Sequence, residues 1–182
     1  HGKMEFQHSG TIFEGQWADG KANGQGVLNI TSEQKVFKGE FWDMKMNGFG
    51  QLTSSEFKYI GEFRYGDFEG FGKLENTEHM QRYVGMFKGG EREGHGLLMD
   101  QRNGILFSGT FKNDKRHGPG RQTNFAANQT IQGQWADNQL IFVESFGEIT
   151  QQDLMQKQNL EQESGMQINF ETSSKQSSSS LH

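Results

Sequence analysis

An aromatic-x-Gly-x-aromatic pattern recurs along the chain at an almost fixed interval. Its middle glycines are Gly15, Gly39, Gly61, Gly85, Gly109 and Gly133, separated by 24, 22, 24, 24 and 24 residues. The sixth copy is decayed, because isoleucine stands at its first aromatic position. A fixed period of this length is typical of a repeat architecture and not of a single globular core.

A second motif, Gly-x-Gly, follows each of the first five copies. It spans residues 24–26, 48–50, 70–72, 94–96 and 118–120, and in four cases leucine comes two residues later (Leu28, Leu52, Leu74, Leu98). The two motifs together, over residues 13–138, resemble the MORN repeat. The resemblance implies hairpins of β-strands, and a role in protein interaction or at membranes. It also implies that any catalytic activity lies in another domain.

The spacing predicts a hairpin in each unit. Asp19-Gly20 and Gly89-Gly90 suit a two-residue turn with positive φ, whereas Met44 does not, so the second unit is expected to have a looser turn. Counting outward from Asp19-Gly20 predicts Gly15 opposite Gly24 and Phe13 opposite Gly26.

The same alternation puts both aromatic positions of every unit on a single face, above the glycines. This aromatic stripe comprises Phe13, Trp17, Phe37, Phe41, Tyr59, Phe63, Tyr83, Phe87, Phe107, Phe111 and Trp135. The 22-residue interval removes two residues near Ser54-Ser55, which preserves the alternation. The sequence therefore predicts an all-β fold, an elongated single-layer antiparallel sheet of consecutive hairpins.

Three segments are expected. Residues 1–12 are predicted to be the remnant of a preceding repeat, because Gly2 precedes Phe13 by the same 11 residues that separate Gly26 from Phe37. At least one further unit is then expected upstream in the parent protein. Residues 13–147 form the array, with five full repeats and a decayed capping repeat. Residues 148–182 are a Gln/Ser-rich tail, largely irregular or partly helical, in which 166–170 alternates like an edge strand.

Composition excludes several classes of protein. The 25 glycines and the mean hydropathy of -0.84 resemble a disordered chain, but 12% aromatic residues at fixed positions argue against disorder. A chain without cysteine holds no disulfide, and a cytoplasmic location is expected. The net charge of -5 makes nucleic acid an unexpected partner.

No catalytic or metal-binding constellation stands out, and neither enzymatic activity nor a cofactor is expected. The stretch 85–90 superficially resembles a phosphate-binding loop, yet strands are predicted on both sides of it where such a loop requires a following helix. A basic cluster, Lys112, Lys115, Arg116 and Arg121, offers a candidate lipid-headgroup site, against the alternative of a solvated face.

The face opposite the stripe carries unusual apolar residues in repeats two to four. The hypothesis is a partner-binding patch made of Trp42, Phe49, Ile60, Phe71, Val84 and Met86, against the alternatives of scattered surface residues or of cover by the C-terminal segment. The predicted function is a non-catalytic scaffold, and the resemblance to MORN proteins of radial spokes and other cytoskeletal assemblies favours a cilium, axoneme or cytoskeleton. Self-association and a phospholipid tether are alternatives, lipid being disfavoured by the acidic charge.

Overall fold

The computed structural model describes residues 1–6 and 10–162, and these form one open antiparallel sheet followed by a single helix. The strands are β1 (Gly2–Phe6), β2 (Thr11–Ala18), β3 (Lys21–Ile30), β4 (Lys35–Trp42), β5 (Lys45–Thr53), β6 (Phe57–Arg64), β7 (Asp67–Asn76), β8 (Gln81–Lys88), β9 (Glu91–Asp100), β10 (Ile105–Lys112), β11 (Lys115–Asn124), β12 (Gln129–Ala136) and β13 (Gln139–Gly147). The helix is α1 (Gln151–Gln162). Every strand pairs with the next one in sequence, which confirms the predicted single-layer sheet of consecutive hairpins.

A row of glycines crosses the sheet at right angles to the strands. Gly15 lies opposite Gly26, Gly26 opposite Gly39 and Gly39 opposite Gly50, and the row continues through Gly133. Gly2 of β1 likewise lies opposite Gly15. We call the side that carries the aromatic stripe the front face and the other side the back face. The glycine row leaves a channel without side chains on the front face, and the aromatic rings lie in it.

The predicted register within the hairpin is wrong by two residues. Ala18 does lie opposite Lys21, but Gly15 lies opposite Gly26 and Phe13 opposite Leu28. A bulge between the pairs Gly15–Gly26 and Ala18–Lys21 places Gln16 alone against residues 23–25 of the partner strand. Gly24 adopts φ +94° there. Because the bulge adds two residues, the front and back assignment of the aromatic stripe is preserved.

The turn of the second hairpin is as tight as the others, contrary to the expectation for Met44. Asp43 and Met44 both have positive φ, 49° and 67°, and Trp42 pairs with Lys45 across them. The Met44 amide donates to the carbonyl of Ala22 at 3.1 Å, while its sulfur accepts from the Ala22 amide at 2.9 Å. These contacts with the preceding hairpin hold a residue that rarely adopts this conformation.

The shortened interval is absorbed as predicted. Three residues, 54–56, join β5 to β6, and Gly50 still lies opposite Gly61 and Leu52 opposite Tyr59. The side chains of the following strands therefore keep their faces.

The last hairpin differs from the other five. Phe142 stands where the others have the positive-φ glycine, and the two extra residues are divided between two separate irregularities, near Glu144 and near Ile141. Since a phenylalanine avoids positive φ, one compact bulge is replaced by two small ones. The side chains of β13 are consequently almost all exposed.

Candidate interaction surfaces

The front face is a continuous layer of aromatic rings. Within each unit the two rings meet edge to face, as Phe37 and Phe41 do at 5.1 Å between centroids. Between units the first ring meets the second ring of the next unit, as Phe37 and Phe63 do at 4.9 Å. Such pairs contribute about 0.5–1.5 kcal/mol each beyond the burial of their area. Ten of the eleven predicted stripe residues are buried, and Trp17 is half-buried.

The glycine row brings these rings onto the backbone. A Cβ added to Gly26 would lie 2.6 Å from two ring carbons of Phe13, and one added to Gly50 would lie 2.5 Å from two ring carbons of Phe37. The first glycine of each Gly-x-Gly is different. At Gly48, φ is +74° and an added Cβ would meet the carboxylate of Glu40 on the back face, so the position shapes the bulge and does not floor a ring.

A further set of front-face residues covers the rings from outside. They occupy the position opposite the second aromatic residue of each unit, namely Ala22, Met46, Phe68, Arg92 and Arg116. Phe68 stacks on Tyr59 at 3.8 Å between centroids, and the Arg92 guanidinium lies 5.7 Å from the centroid of Tyr83. Sequence reasoning missed this cover because its residue type changes from unit to unit.

Two buried tyrosines donate hydrogen bonds from within the layer. The hydroxyl of Tyr59 donates to the carbonyl of Glu62 at 2.9 Å, and that of Tyr83 to the carbonyl of Met86 at 3.0 Å. Burial raises the pKa of the Tyr59 hydroxyl well above its usual range and that of Tyr83 to about 12. Both phenols therefore remain neutral donors at physiological pH and are structural groups.

Successive hairpins are tied at their turns. The second turn residue donates its amide to a carbonyl of the preceding hairpin, as Gly66 does to Met46 and Gly90 to Phe68, both at 2.9 Å. The first turn residue donates to the side chain that precedes the positive-φ glycine of the preceding unit. Four such bonds are present: Asp43 to Asn23, Tyr65 to Asn47, Gly89 to Glu69 and Asn113 to Glu93. An Asn or Glu directly before Gly-x-Gly is the sequence signal of this tie.

Helix α1 lies on the back face over β8–β11. Leu160 is buried against Met99 and Leu106, with Val84 and Leu97 packed around them. The carboxylate of Asp153, 3% exposed, accepts hydrogen bonds from the Arg121 guanidinium at 2.9 and 3.0 Å. The hydroxyl of Thr123 also donates to it at 2.9 Å, and Thr150 donates through its amide and its hydroxyl. Arg121 above all, then Thr150 and Thr123, hold the pKa of Asp153 well below its usual range.

The six predicted patch residues fall into two groups. Trp42, Phe49, Phe71 and Met86 are exposed, and Phe71 and Met86 are direct cross-strand partners on the back face. Ile60 is half-buried, and Val84 packs beside α1. The cover by the C-terminal segment, which the sequence left open as an alternative, thus applies to Val84 but not to Trp42.

A groove of about 710 Å³ lies between α1 and Phe71, the one exposed patch residue that lines it. Its walls are Phe71 and His95 on one side and Gln156 of α1 on the other, with Val84 and Leu97 along it. Phe71, with its cross-strand partner Met86, therefore lies next to the docking place of α1.

The basic cluster is divided between the two faces. Arg116 lies on the front face over the ring of Phe107 at 5.5 Å, while Arg121 on the back face is bound to Asp153. Lys115 lies 3.5 Å from Asp137. Lys112 lies opposite Lys115, so Arg116 is the member of the cluster that lies on the other face. The lipid-headgroup site suggested by the sequence stays a prediction.

Two negative findings apply to the residues that the structure describes. No group of His, Asp or Glu side chains among residues 1–6 and 10–162 is arranged to hold a metal ion. Within the same ranges, no helix has the length and apolar character needed to cross a membrane.

The fold and its two faces define a repeat protein in which each hairpin is supported by its neighbours. Comparison with known families identifies the repeat. Residues 13–29, 59–76, 83–104 and 107–123 match the MORN repeat, and the chain contains four MORN repeats. The unmatched hairpin β4–β5 has the same glycine register as the matched ones. A search of curated proteins found none that matches the chain. MORN repeats are non-catalytic modules that interact with proteins or with membrane lipids.

Proposed function

We propose that this protein is a non-catalytic scaffold that binds a partner protein through the free part of its back face. The observation that carries the proposal is the exposed apolar surface of Trp42, Phe49, Phe71 and Met86, on the same face as a helix that already covers part of β8–β11. Trp42 is 63% exposed and Phe71 is 50% exposed. Gathered apolar residues of this kind mark interaction sites, and tryptophan is prominent among the residues that carry binding energy.

The expected partner segment is an amphipathic helix. Helix α1, which itself has little apolar periodicity, shows how this face accepts a helix, with a leucine between back-face apolar side chains and a carboxylate on a back-face arginine. The groove beside α1 extends that mode toward Phe71. A helix laid across the strands would contact side chains from several hairpins at once, which suits a repeat protein.

The cellular setting proposed is a cytoskeletal assembly in the cytoplasm, with the ciliary axoneme as the setting favoured by the resemblance to radial-spoke MORN proteins. Protein is preferred to lipid as the partner because the patch is bordered by charges of both signs. Lys21 forms an ion pair with Asp43, and Glu40 and Glu62 lie on the same face. An anionic membrane favours clustered lysine and arginine.

The test is a triple variant, Trp42→Ser, Phe49→Ser and Phe71→Ser, matched by a control variant of two exposed α1 residues, Leu154→Ser and Met155→Ser. Partners captured by the wild-type chain are identified, purified and titrated against each protein by calorimetry. We expect the triple variant to lose at least tenfold in affinity while its circular dichroism is unchanged, and the control to bind normally. Equal affinity of a folded triple variant would overturn the proposal.

A lipid arm uses vesicles that contain phosphatidylserine. Sedimentation of the wild-type chain with these vesicles, abolished in the triple variant, would instead assign the patch to a membrane tether. No sedimentation is expected.

A further inference from the structure

Strand β13 is an edge strand with an unusual composition. Among the described residues its only strand neighbour is β12, and eight of its nine residues are exposed. Leu140, Ile141, Phe142 and Phe146 are exposed apolar residues, and Ile141 and Phe146 are each 64% exposed. Proteins usually protect such an edge with lysine, proline or a covering element.

In the described part of the chain β13 has no lysine, proline or covering element, and its protection is limited to the two small irregularities near Ile141 and Glu144. Its sequence contains no lysine, arginine or proline, and its single charge, Glu144, accepts hydrogen bonds from Gln132 and Gln134 of β12. The described residues that follow, 148–162, do not cover the edge, because α1 turns back over β8–β11. The edge therefore presents unpaired backbone groups flanked by apolar side chains.

The front-face layer ends abruptly at this strand. Trp135 is 2% exposed and belongs to the aromatic layer, and Leu140 of β13 lies opposite it. Ile131 packs against the same layer and faces Phe146 of β13. Leu140 and Phe146 thus extend the layer by one strand and then meet solvent.

We infer that β13 pairs antiparallel with β13 of a second copy of this chain, about a two-fold axis at Val143. Leu140 and Phe146 lie three residues on either side of Val143, so the axis places Leu140 of each copy opposite Phe146 of the other. All three residues pair with front-face positions of β12, namely Trp135, Gly133 and Ile131. The dimer joins the two sheets and carries the front-face layer across the junction without a polar break.

The second copy fits better than an unrelated strand because the row is self-complementary. A two-fold interface uses the same surface from both subunits, and here it matches apolar with apolar at each front-face position. This interface is separate from the proposed back-face site, and it uses none of the residues of that site.

The natural absence of cysteine allows a direct test of the register. In antiparallel strands a residue on the axis lies about 4.5–5.5 Å from its own copy, Cα to Cα, which is within disulfide range. Val143→Cys in the full chain should therefore give a disulfide-linked dimer under mild oxidation at micromolar concentration. Gln139→Cys is the matched control, because the two copies of residue 139 would lie roughly 26 Å apart. Efficient cross-linking of the control and not of Val143→Cys would overturn the register.

Sedimentation velocity tests the interface without cross-linking. The 182-residue wild-type chain is expected to be a dimer, and Phe146→Lys, which puts a charge on an exposed position, is expected to raise the dimer dissociation constant at least tenfold. Phe71→Lys on the back face is the control and should leave the dimer intact. A monomeric wild-type chain would overturn the inference, as would a dimer that is lost in Phe71→Lys but not in Phe146→Lys. Residues 166–170, suggested from the sequence as an edge strand, lie outside the described residues, and their occupying β13 would appear as the monomeric outcome.

Discussion

The front and back faces of this sheet use the same strands but derive their order from different sources. On the front face the same pair of aromatic positions and the same glycine row recur from unit to unit. The first ring of a unit contacts the second ring of the next unit. On the back face the residue type changes at equivalent positions, as where Phe49 and Phe71 replace Gln25 and His95. The comparison indicates that the residues which stabilise the fold are spread over the repeated front face. The back-face residues, and with them any binding specificity, vary from unit to unit.

The largest expected effect separates two phenylalanines in adjacent strands. Phe37 is fully buried in the front-face layer, and Phe37→Ala should cost about 3–5 kcal/mol of unfolding free energy. Phe49→Ala on the back face removes an exposed ring and should cost under about 1 kcal/mol. Urea unfolding measures both. Similar losses would mean that the back face also carries a continuous core.

A smaller effect distinguishes the two glycines of one Gly-x-Gly motif. Gly50→Ala forces a methyl group against the ring of Phe37 and should cost about 1–3 kcal/mol. Gly48→Asn should cost about 1 kcal/mol or less, because asparagine tolerates positive φ and the group it meets is the mobile end of Glu40. Thermal melting orders the two variants. The reverse order would show that the ring lies over Gly48.

The period and the alternation were enough to predict the sheet, the faces and the stripe residues. They were not enough to predict the bulge, because counting outward from the turn assumes regular pairing and Gly24 was counted as an ordinary strand residue. Met44 was misjudged for a related reason. Its turn conformation is held by Ala22 in another hairpin, which local propensity does not contain.

The position of α1 could not be predicted from the sequence either. Its residues show little apolar periodicity, and its docking involves Leu160, the buried Asp153 and Arg82 of β8, whose guanidinium donates to the carbonyls of Leu160 and Glu161. The pairing of Asp153 with Arg121, 32 residues earlier, has no local signal. The exposure of Trp42, Phe49, Phe71 and Met86 could be predicted because those residues depart from the repeat, and departure from a period is visible in a sequence. Their role in binding a partner stays a prediction.

The docking of α1 should depend on pH in one direction. Because the pKa of Asp153 is lowered in the folded chain, its contribution is present above the usual carboxyl pKa, near 4, and is lost as pH falls through the lower folded value. We expect amide exchange in residues 151–162 to accelerate at strongly acidic pH, before the front-face layer unfolds. The exchange rates are corrected for the pH dependence of intrinsic exchange.

Asp153→Asn should release the helix at neutral pH and abolish that dependence, while urea unfolding of the sheet changes little. Asp67→Asn, an exposed aspartate of β7, is the control and should leave the exchange of α1 unchanged. Unaltered protection of α1 in Asp153→Asn would show that the packing of Leu160 and the hydrogen bonds from Arg82 hold the helix without Asp153.

The smallest expected effect is the stability change on removing the most exposed aromatic side chain. Trp42→Ser should shift the unfolding free energy by no more than about 0.5 kcal/mol, because the indole has little contact to lose. A melting experiment checks this directly. A loss above about 2 kcal/mol would move Trp42 from the variable face into the structural layer.

The spacing of strands along the glycine row also sets the length of the sheet. Neighbouring strands are about 4.8 Å apart, so each two-stranded unit advances the array by roughly 10 Å and the thirteen strands measure about 58 Å along the sheet. The units are therefore evenly spaced along the sheet. A back-face residue of one unit lies at a fixed distance from the equivalent residue of another unit. Adding or deleting a unit would therefore change the separation of two attached molecules in steps of about 10 Å.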